Sequence, residues 1–254
     1  MNAVAVERHR AACAAMATRF ELVLEGGPRA ALGSAAEAAL EVIEACAARW
    51  TRFERAGWPA RIARTEPGTA LRIDAEDAEL LAIALDAHTA TDGAFDPSLG
   101  AGFDVQLDAT ARTLTPRRSG VALDFGAIAK GHALELAARV LREHGIASAF
   151  LHGGTSSALA LGPRSWRVRL GVGGPSVELQ DRALSVSAQR GRAHVLDPRS
   201  AQAAESPATA VALHADARVA EAWSTALLVA GPALAERALP SGLELHWLTP
   251  PIHA

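Results

Sequence analysis

Polar and apolar positions along the chain fall into two periods. From Thr18 to Leu24 the residues Phe20, Leu22 and Leu24 recur at every second place, the spacing of a half-buried strand. Gly26-Gly27-Pro28 then interrupts the pattern. Ser34 followed by Glu37 is a capping-box pair, and Leu40, Ile43, Ala47 and Trp50 continue at helical spacing, which predicts a helix over about 34–52. Asp74 is placed to cap a second helix carrying Leu80, Leu81, Ala84, Leu85 and His88, ending near Asp92-Gly93. Residues 93–123 keep neither period and read as irregular, with short strands near Thr113 and Val121. A third helix is predicted from near Ile128, with Ala133, Leu136, Ala137, Val140 and Leu141 as its apolar stripe and Gly145 as its stop. Strands follow at 148–152, 157–162 and 166–172, and strand-like segments at 183–188, 193–196 and 209–214. A fourth helix runs from Asp216 to Gly231 with Val219, Trp223, Ala226 and Leu227 on its buried side; a short helix and the strand Leu243–Leu248 close the chain. Helices and strands cluster instead of alternating, which favours an α+β fold over a doubly wound parallel sheet. No internal repeat or low-complexity linker divides the chain, so one continuous domain over residues 1–254 is expected.

Composition narrows the function classes. Half of the 254 residues are hydrophobic and 21% are charged, as in a globular protein with a substantial core. A formal net charge of −3 gives no basic field for nucleic acid. No apolar run approaches the ~18 residues of a membrane span, and no signal-peptide pattern opens the chain, so a cytoplasmic protein is expected. Cys13 and Cys46 are too few for a disulfide scaffold or a cysteine zinc site, and two free thiols in a reducing compartment are expected.

Four segments carry candidate chemistry. Thr91-Asp92-Gly93-Ala94-Phe95-Asp96-Pro97-Ser98 is a turn after a helix, whose plain reading is a local Asp hydrogen bond. Asp124-Phe125-Gly126-Ala127-Ile128-Ala129-Lys130-Gly131 enters a helix. Free N–H groups there suit a phosphate, and Lys130 opposes the helix dipole unless an anion lies near, although a plain helix start is as good a reading. His194-Val195-Leu196-Asp197-Pro198-Arg199 offers a histidine as general base, or a strand end entering a turn. Glu221 and Thr225 share one helix face and offer two hard oxygens for Mg²⁺, or an exposed Glu and a backbone-bonded Thr.

In this order and at these separations the segments resemble the FAD:protein FMN transferase (ApbE-type) family. Met16-Ala17-Thr18-Arg19-Phe20 is similar to its opening M-G-T-x-F, residues 91–98 to T-x-G-A-F-D-P-T, and 124–131 to D-x-G-G-I-A-K-G. Residues 151–162 resemble its L-G-G-D/N segment, 194–199 its H-x-I-D-P-R, and 220–226 its A-D-x-x-[AS]-T-A. The chain departs from the pattern at Glu221, where the family has Asp; at Ala127, where it has Gly; and at Thr155, where it has Asp or Asn.

The resemblance implies an α+β fold with a mixed, largely antiparallel sheet, FAD as substrate, and bound Mg²⁺. Carried over position by position, Met16, Phe53, Ala94, Phe95, Asp96, Asp124, Lys130 and Leu196 would line the FAD site. The Ala127 carbonyl, Glu221 and Thr225 would hold the metal. The implied reaction moves FMN onto a Thr or Ser hydroxyl of an acceptor flavoprotein and releases AMP, with Lys130 and the metal balancing charge and His194 as base, or Asp96 or Asp124 in its place. Two alternatives share the site: an FAD pyrophosphatase, with water as acceptor, and a flavin-binding module without catalysis.

Overall fold

A computed structural model describes residues 7–171, 174–189, 195–204, 206–237 and 239–249. The chain order is β1 (Arg8–Ala15), β2 (Thr18–Glu25), α1 (Arg29–Trp50), α2 (Trp58–Arg64), β3 (Leu71–Arg72), α3 (Ala75–Ala90), β4 (Val105–Asp108), β5 (Thr113–Pro116), α4 (Ala129–Glu143), β6 (Ser148–Gly153) and β7 (Ser157–Leu161). It continues with β8 (Trp166–Arg169), β9 (Ser176–Leu179), β10 (Arg182–Ala188), β11 (Leu196–Asp197), β12 (Gln202–Ala203), β13 (Thr209–His214), α5 (Ala217–Ala230), a 3₁₀ turn at Pro232–Glu236 and β14 (Glu244–Leu248). The fold is α+β. Its main sheet has seven strands in the order β1-β2-β6-β7-β10-β13-β14, each ladder antiparallel.

Strand alternation builds two cores on the two faces of this sheet. Leu151, Leu159, Ala183, Ala210 and Ala212 point to the face that carries the helices, where Leu32, Ile43, Leu134, Trp223 and Leu227 are fully or nearly fully buried. Ala158, Ala160, Leu184, Val211 and Leu213 point the other way and are covered by Leu170 and Leu179, which flank or end the β8–β9 hairpin. β7 is thus buried on both faces, which hides its alternation from the sequence.

Several expectations need correction. The first strand, β1, reads as plain alanine-rich sequence because its half-buried side is built from small residues, and no strand was expected there. Helix α1 starts at Arg29 with Pro28 in the N-cap position and no side-chain cap, so Ser34 and Glu37 lie inside the helix and form no capping box at its start. Burial of Leu32, Ala35 and Ala36 against the core rewards the extra turn. The short helix α2, opened by Pro59 in its first turn, carries Trp58 and Ile62 into the core and was not expected. Val121 is buried but lies in no strand, the strand at 166–172 stops at Arg169, and residues 193–194 lie outside the described residues. Asp74 does stand at the N-cap of α3, yet its carboxylate pairs with Arg49 instead of the helix N–H groups. Cys13 and Cys46 are free thiols, and burial pushes the Cys46 thiol up to about 12.

Helices α4 and α5 fix the geometry that matters below. Glu135 of α4 accepts a hydrogen bond from the Ala217 N–H at 2.6 Å, so it caps the first turn of α5. Asp216 caps the same turn through the Arg218 N–H at 2.8 Å. Arg218 also reaches Glu79 of α3 at 2.9 Å, and Arg139 of α4 bonds the same carboxylate at 3.0 Å, tying three helices together. Among the described residues no helix is long and apolar enough to cross a membrane.

Burial, followed by the nearby Asp216 charge, pushes the Glu135 carboxyl up from 4.5 to about 7. Between those two values the folded chain keeps a proton that the unfolded chain has lost, so this group's contribution to stability falls as pH rises through the window and is lost above it. Gln at this position still offers an acceptor to Ala217. Glu135→Gln is therefore expected to gain stability relative to wild type between pH 4.5 and pH 8, by roughly 1–3 kcal/mol. Urea unfolding at both pH values measures the difference, which would be constant if Glu135 does not titrate in this window. The buried His132, held down to about 3 by desolvation, is common to both proteins and cancels in the comparison.

Candidate functional site

A cleft of about 370 Å³ opens beside the start of α4. Its walls come from segments far apart in sequence: Ala94, Phe95, Asp96, Pro97 and Leu99; Asp124, Gly126, Ala127 and Lys130; Thr155 and Ser156; Ser185 to Ala188; Val195, Leu196 and Pro198; and Glu221 with Thr225. The three described motif segments with candidate polar groups, at 94–99, 124–130 and 221–225, therefore meet in one place.

The base of the cleft is a buried ion pair. Lys130, the second residue of α4, donates from Nζ to Glu221 Oε2 at 3.0 Å, and Glu221 is the fifth residue of α5. The side chains are 20% and 5% exposed respectively. Ser157 of β7 donates to the other carboxylate oxygen, Oε1. The pair depends on how closely the helices cross. At Gly131 an added Cβ would lie 2.5 Å from the Ala217 carbonyl oxygen and 2.8 Å from Glu221 Cγ, so only glycine admits α5 at this distance.

A row of hydroxyls extends from this pair. Ser224 donates to the Glu221 carbonyl at 3.1 Å and lies 2.9 Å from both Ser185 Oγ and Ser187 Oγ. With its one proton committed, Ser224 is left to accept from both serines. Ser187, 3.4 Å from Thr225 Oγ1, then accepts from Thr225, which leaves the Thr225 lone pairs for another partner. Ser185 and Ser187 alternate on β10 with Leu184 and Val186, which turn to the opposite face. That alternation was the available signal for the hydroxyl row; the sequence reading used it only to predict a strand.

Asp96 lies at the edge of the cleft with its carboxylate turned into its own loop. Oδ1 accepts from the Ser98 N–H at 2.8 Å; Oδ2 accepts from Ser98 Oγ at 2.8 Å and the Gly100 N–H at 3.1 Å. This is the local turn role that its Asp-Pro context suggested. Gly100, at φ +85°, lets the loop press against the Pro198 carbonyl, where any Cβ would collide, so the 94–99 and 195–198 walls are locked together. Asp124 Oδ1 accepts from the Gly126 N–H at 2.8 Å, and its Oδ2 is 3.3 Å from Arg52 Nε. Arg52 was given no role by the sequence reading, which put it at the end of the helix predicted over about 34–52; it lies just beyond α1, which stops at Trp50. Its guanidinium also sits 5.0 Å from the Phe53 ring centroid, and Phe53 itself is 82% exposed.

Two expected site residues stand apart from the cleft walls. Phe53 projects next to Arg52 outside them, and Met16 occupies the β1–β2 turn. Met16 and Ala17 have φ of 51° and 56°, the left-handed pair of a two-residue hairpin turn. The Met16 side chain is half-buried against the core. The Arg19 carbonyl just beyond this turn accepts from the Gly154 N–H at 2.9 Å, next to the Thr155–Ser156 wall. His194 lies outside the described residues. Its neighbour Val195 is on the wall, held through both main-chain groups by the Gln189 side-chain amide at 2.7 and 3.2 Å.

The donor chemistry suits a hard divalent cation shared with phosphates. Among the described residues no cluster of three or more His, Cys, Asp or Glu side chains forms a cage by itself. One carboxylate, one hydroxyl with open lone pairs and the Ala127 segment, all lining the cleft, are the kind of partial oxygen set that Mg²⁺ completes with water and substrate phosphates.

A family model described as the ApbE family matches residues 102–246. An FAD:protein FMN transferase of Rhodobacter capsulatus is 32% identical over 182 residues, covering 65% of this chain and 32% of that protein. The chain thus spans about a third of the length of this curated relative. Two solved structures share the fold. The Pseudomonas stutzeri flavinyl transferase ApbE, apo form, matches with TM-score 0.80 and 20% identity over 98% of both chains. The ApbE protein of Thermotoga maritima matches with TM-score 0.79 and 21% identity over 94% of this chain and 93% of that one.

Replacing an interior helix glycine by alanine ordinarily stabilises by about 0.5–1 kcal/mol. The tight crossing reverses this expectation at Gly131. Gly131→Ala should cost about 1–3 kcal/mol through overpacking and lower the melting temperature by several degrees. Thermal unfolding by circular dichroism checks the sign, and a melting temperature at or above wild type would contradict the packing described.

Proposed function

The chain belongs to the ApbE family, and on that premise we propose that it transfers FMN from FAD to a Thr or Ser hydroxyl of an acceptor protein and releases AMP. The observation that supports this most directly is the cleft itself, where Ala94, Phe95, Asp96, Asp124, Ala127, Lys130, Leu196, Glu221 and Thr225 converge from separate segments. These are the residues that the motif correspondence assigns to FAD and metal, apart from Met16 and Phe53.

In this reading the acceptor oxygen attacks the FMN-side phosphorus, the bond from that phosphorus to the bridging oxygen breaks, and AMP leaves with that oxygen. Transfer of this type needs positioning and charge neutralisation more than covalent help from the protein. Lys130, on the wall at a helix start, supplies a positive charge to the pyrophosphate, and the nearby N–H groups of the first turn of α4 favour the same anion. Glu221, Thr225 and the Ala127 carbonyl would hold Mg²⁺, which when bound supplies further positive charge to the pyrophosphate oxygens. Asp96 holds the loop that bears Ala94 and Phe95. His194 is assigned the hydroxyl proton, because an imidazole titrates near neutral pH and its neighbour Val195 lines the cleft. Arg52, which pairs with the cleft residue Asp124 and lies over the exposed Phe53 ring, would put that ring within reach of a flavin or adenine ring in this reading.

Three outcomes are expected. The protein should bind FAD more tightly than riboflavin in a fluorescence titration, since most polar groups of the cleft serve the phosphates; equal affinities would remove the phosphate subsite. Incubation with FAD and Mg²⁺ should release AMP and add the mass of FMN less one water to an acceptor, whereas AMP with free FMN and no acceptor adduct would identify a pyrophosphatase. His194→Ala should slow AMP release by about 10²–10⁴-fold with FAD affinity near normal, and an unchanged rate would remove His194 from the reaction.

A further inference from the structure

The carboxylate assigned to the metal already has a cation. Glu221 is nearly solvent-free, with Lys130 Nζ 3.0 Å from Oε2 and Ser157 Oγ bonded to Oε1. Lys130 is the only lysine of the chain, every other basic side chain of its class being arginine. Asp96, Asp124 and Glu221 are the carboxylates on the cleft wall, and among the described residues Lys130 is the cationic side chain there. Glu is one methylene longer than the Asp of the family pattern, and here that length brings its two oxygens between Ser157 of β7 and Lys130 of α4.

We propose that Lys130 is the resident counter-cation of Glu221 in the FAD-free protein, and that a divalent ion competes with Lys130 for this carboxylate. Lys130 thereby sets the metal affinity of the site. The inference rests on the reading of Glu221 as a metal ligand. A buried carboxylate stripped of its partner is strongly unfavourable, so Glu221 is always paired with one cation or the other. When a divalent ion takes Glu221, the Lys130 ammonium becomes the unpaired charge, and a pyrophosphate is the anion that satisfies it. Metal and FAD then favour each other's binding, and by linkage the coupling is the same in both directions.

The only lysine gives a direct view of the competition in the unaltered protein. With ¹⁵N-lysine labelling, a single Nζ resonance is expected besides the amide signal, and titration with Mg²⁺ alone should shift it in step with metal binding. Mn²⁺ binding to the FAD-free protein, read by electron paramagnetic resonance, supplies the second measurement. Lys130→Met keeps most of the aliphatic stem and removes the charge; it should bind Mn²⁺ about tenfold more tightly than wild type or better, the scale set by losing one charged hydrogen bond. Mn²⁺ should also raise the melting temperature of Lys130→Met by more than it raises that of wild type. Glu221→Gln should bind little Mn²⁺ in either background. Equal or weaker Mn²⁺ binding by Lys130→Met, or an Nζ resonance unmoved at saturating Mg²⁺, would overturn the competition while leaving Glu221 as ligand. Metal binding that survives Glu221→Gln would overturn the ligand assignment and this proposal with it.

Discussion

The site depends on one close contact, the crossing of α4 and α5 at Gly131. The Ala217 carbonyl sits where a side chain would begin, and the Glu135 carboxyl caps the same turn of α5. These two constraints fix the position and rotation of α5 relative to α4. Lys130 and Glu221, each at the beginning of its helix, then meet at the cleft base instead of pointing separately into solvent. A pair this deeply placed is weak evidence of stability, because desolvation offsets most of its attraction. Its value is that it holds charge of both signs at a fixed point beside a space large enough for a ligand.

The sheet supplies what the helices cannot. β7 contributes Ser157 to Glu221, and β10 contributes Ser185 and Ser187 to the hydroxyl row around Ser224 and Thr225. Because β7 and β10 are neighbours in the main sheet, these hydroxyls form one polar strip on an otherwise apolar face. The substitution of Glu for Asp at position 221 fits this arrangement. Its added length is taken up between β7 and α4, and the interacting hydroxyls are already committed in a consistent donor order.

Much of this was legible in the chain. The stripe of α4 and the alternation of β2 are strong because each of these elements buries one well-defined face, whereas β13 and most of α5 are buried nearly all round. β1 was not legible, since alanine and cysteine on its half-buried side make little contrast with their neighbours. The start of α1 was misplaced because Ser34 and Glu37 form a cap signature that tertiary burial of Leu32, Ala35 and Ala36 overrides. In the cleft, motif segments gave the walls, and the one at 151–162 contains Ser157 without giving it a role, yet they said nothing of Arg52 or the β10 serines. Those residues owe their positions to strand pairing and helix docking, which no short motif records. The inward turn of Asp96 was, in contrast, the plain reading of an Asp-Pro turn.

Under the proposed function, a divalent ion and the pyrophosphate of FAD come together at the Lys130–Glu221 base of the cleft. A crystal structure with FAD and Mn²⁺, using anomalous diffraction to locate the ion, tests this without recourse to turnover. The expected map has one manganese peak bonded to Glu221 and Thr225, pyrophosphate density against it, and Lys130 Nζ moved from the carboxylate onto a phosphate oxygen. FAD bound elsewhere, or bound in the cleft with Lys130 still on Glu221 and no manganese beside it, would contradict the claim.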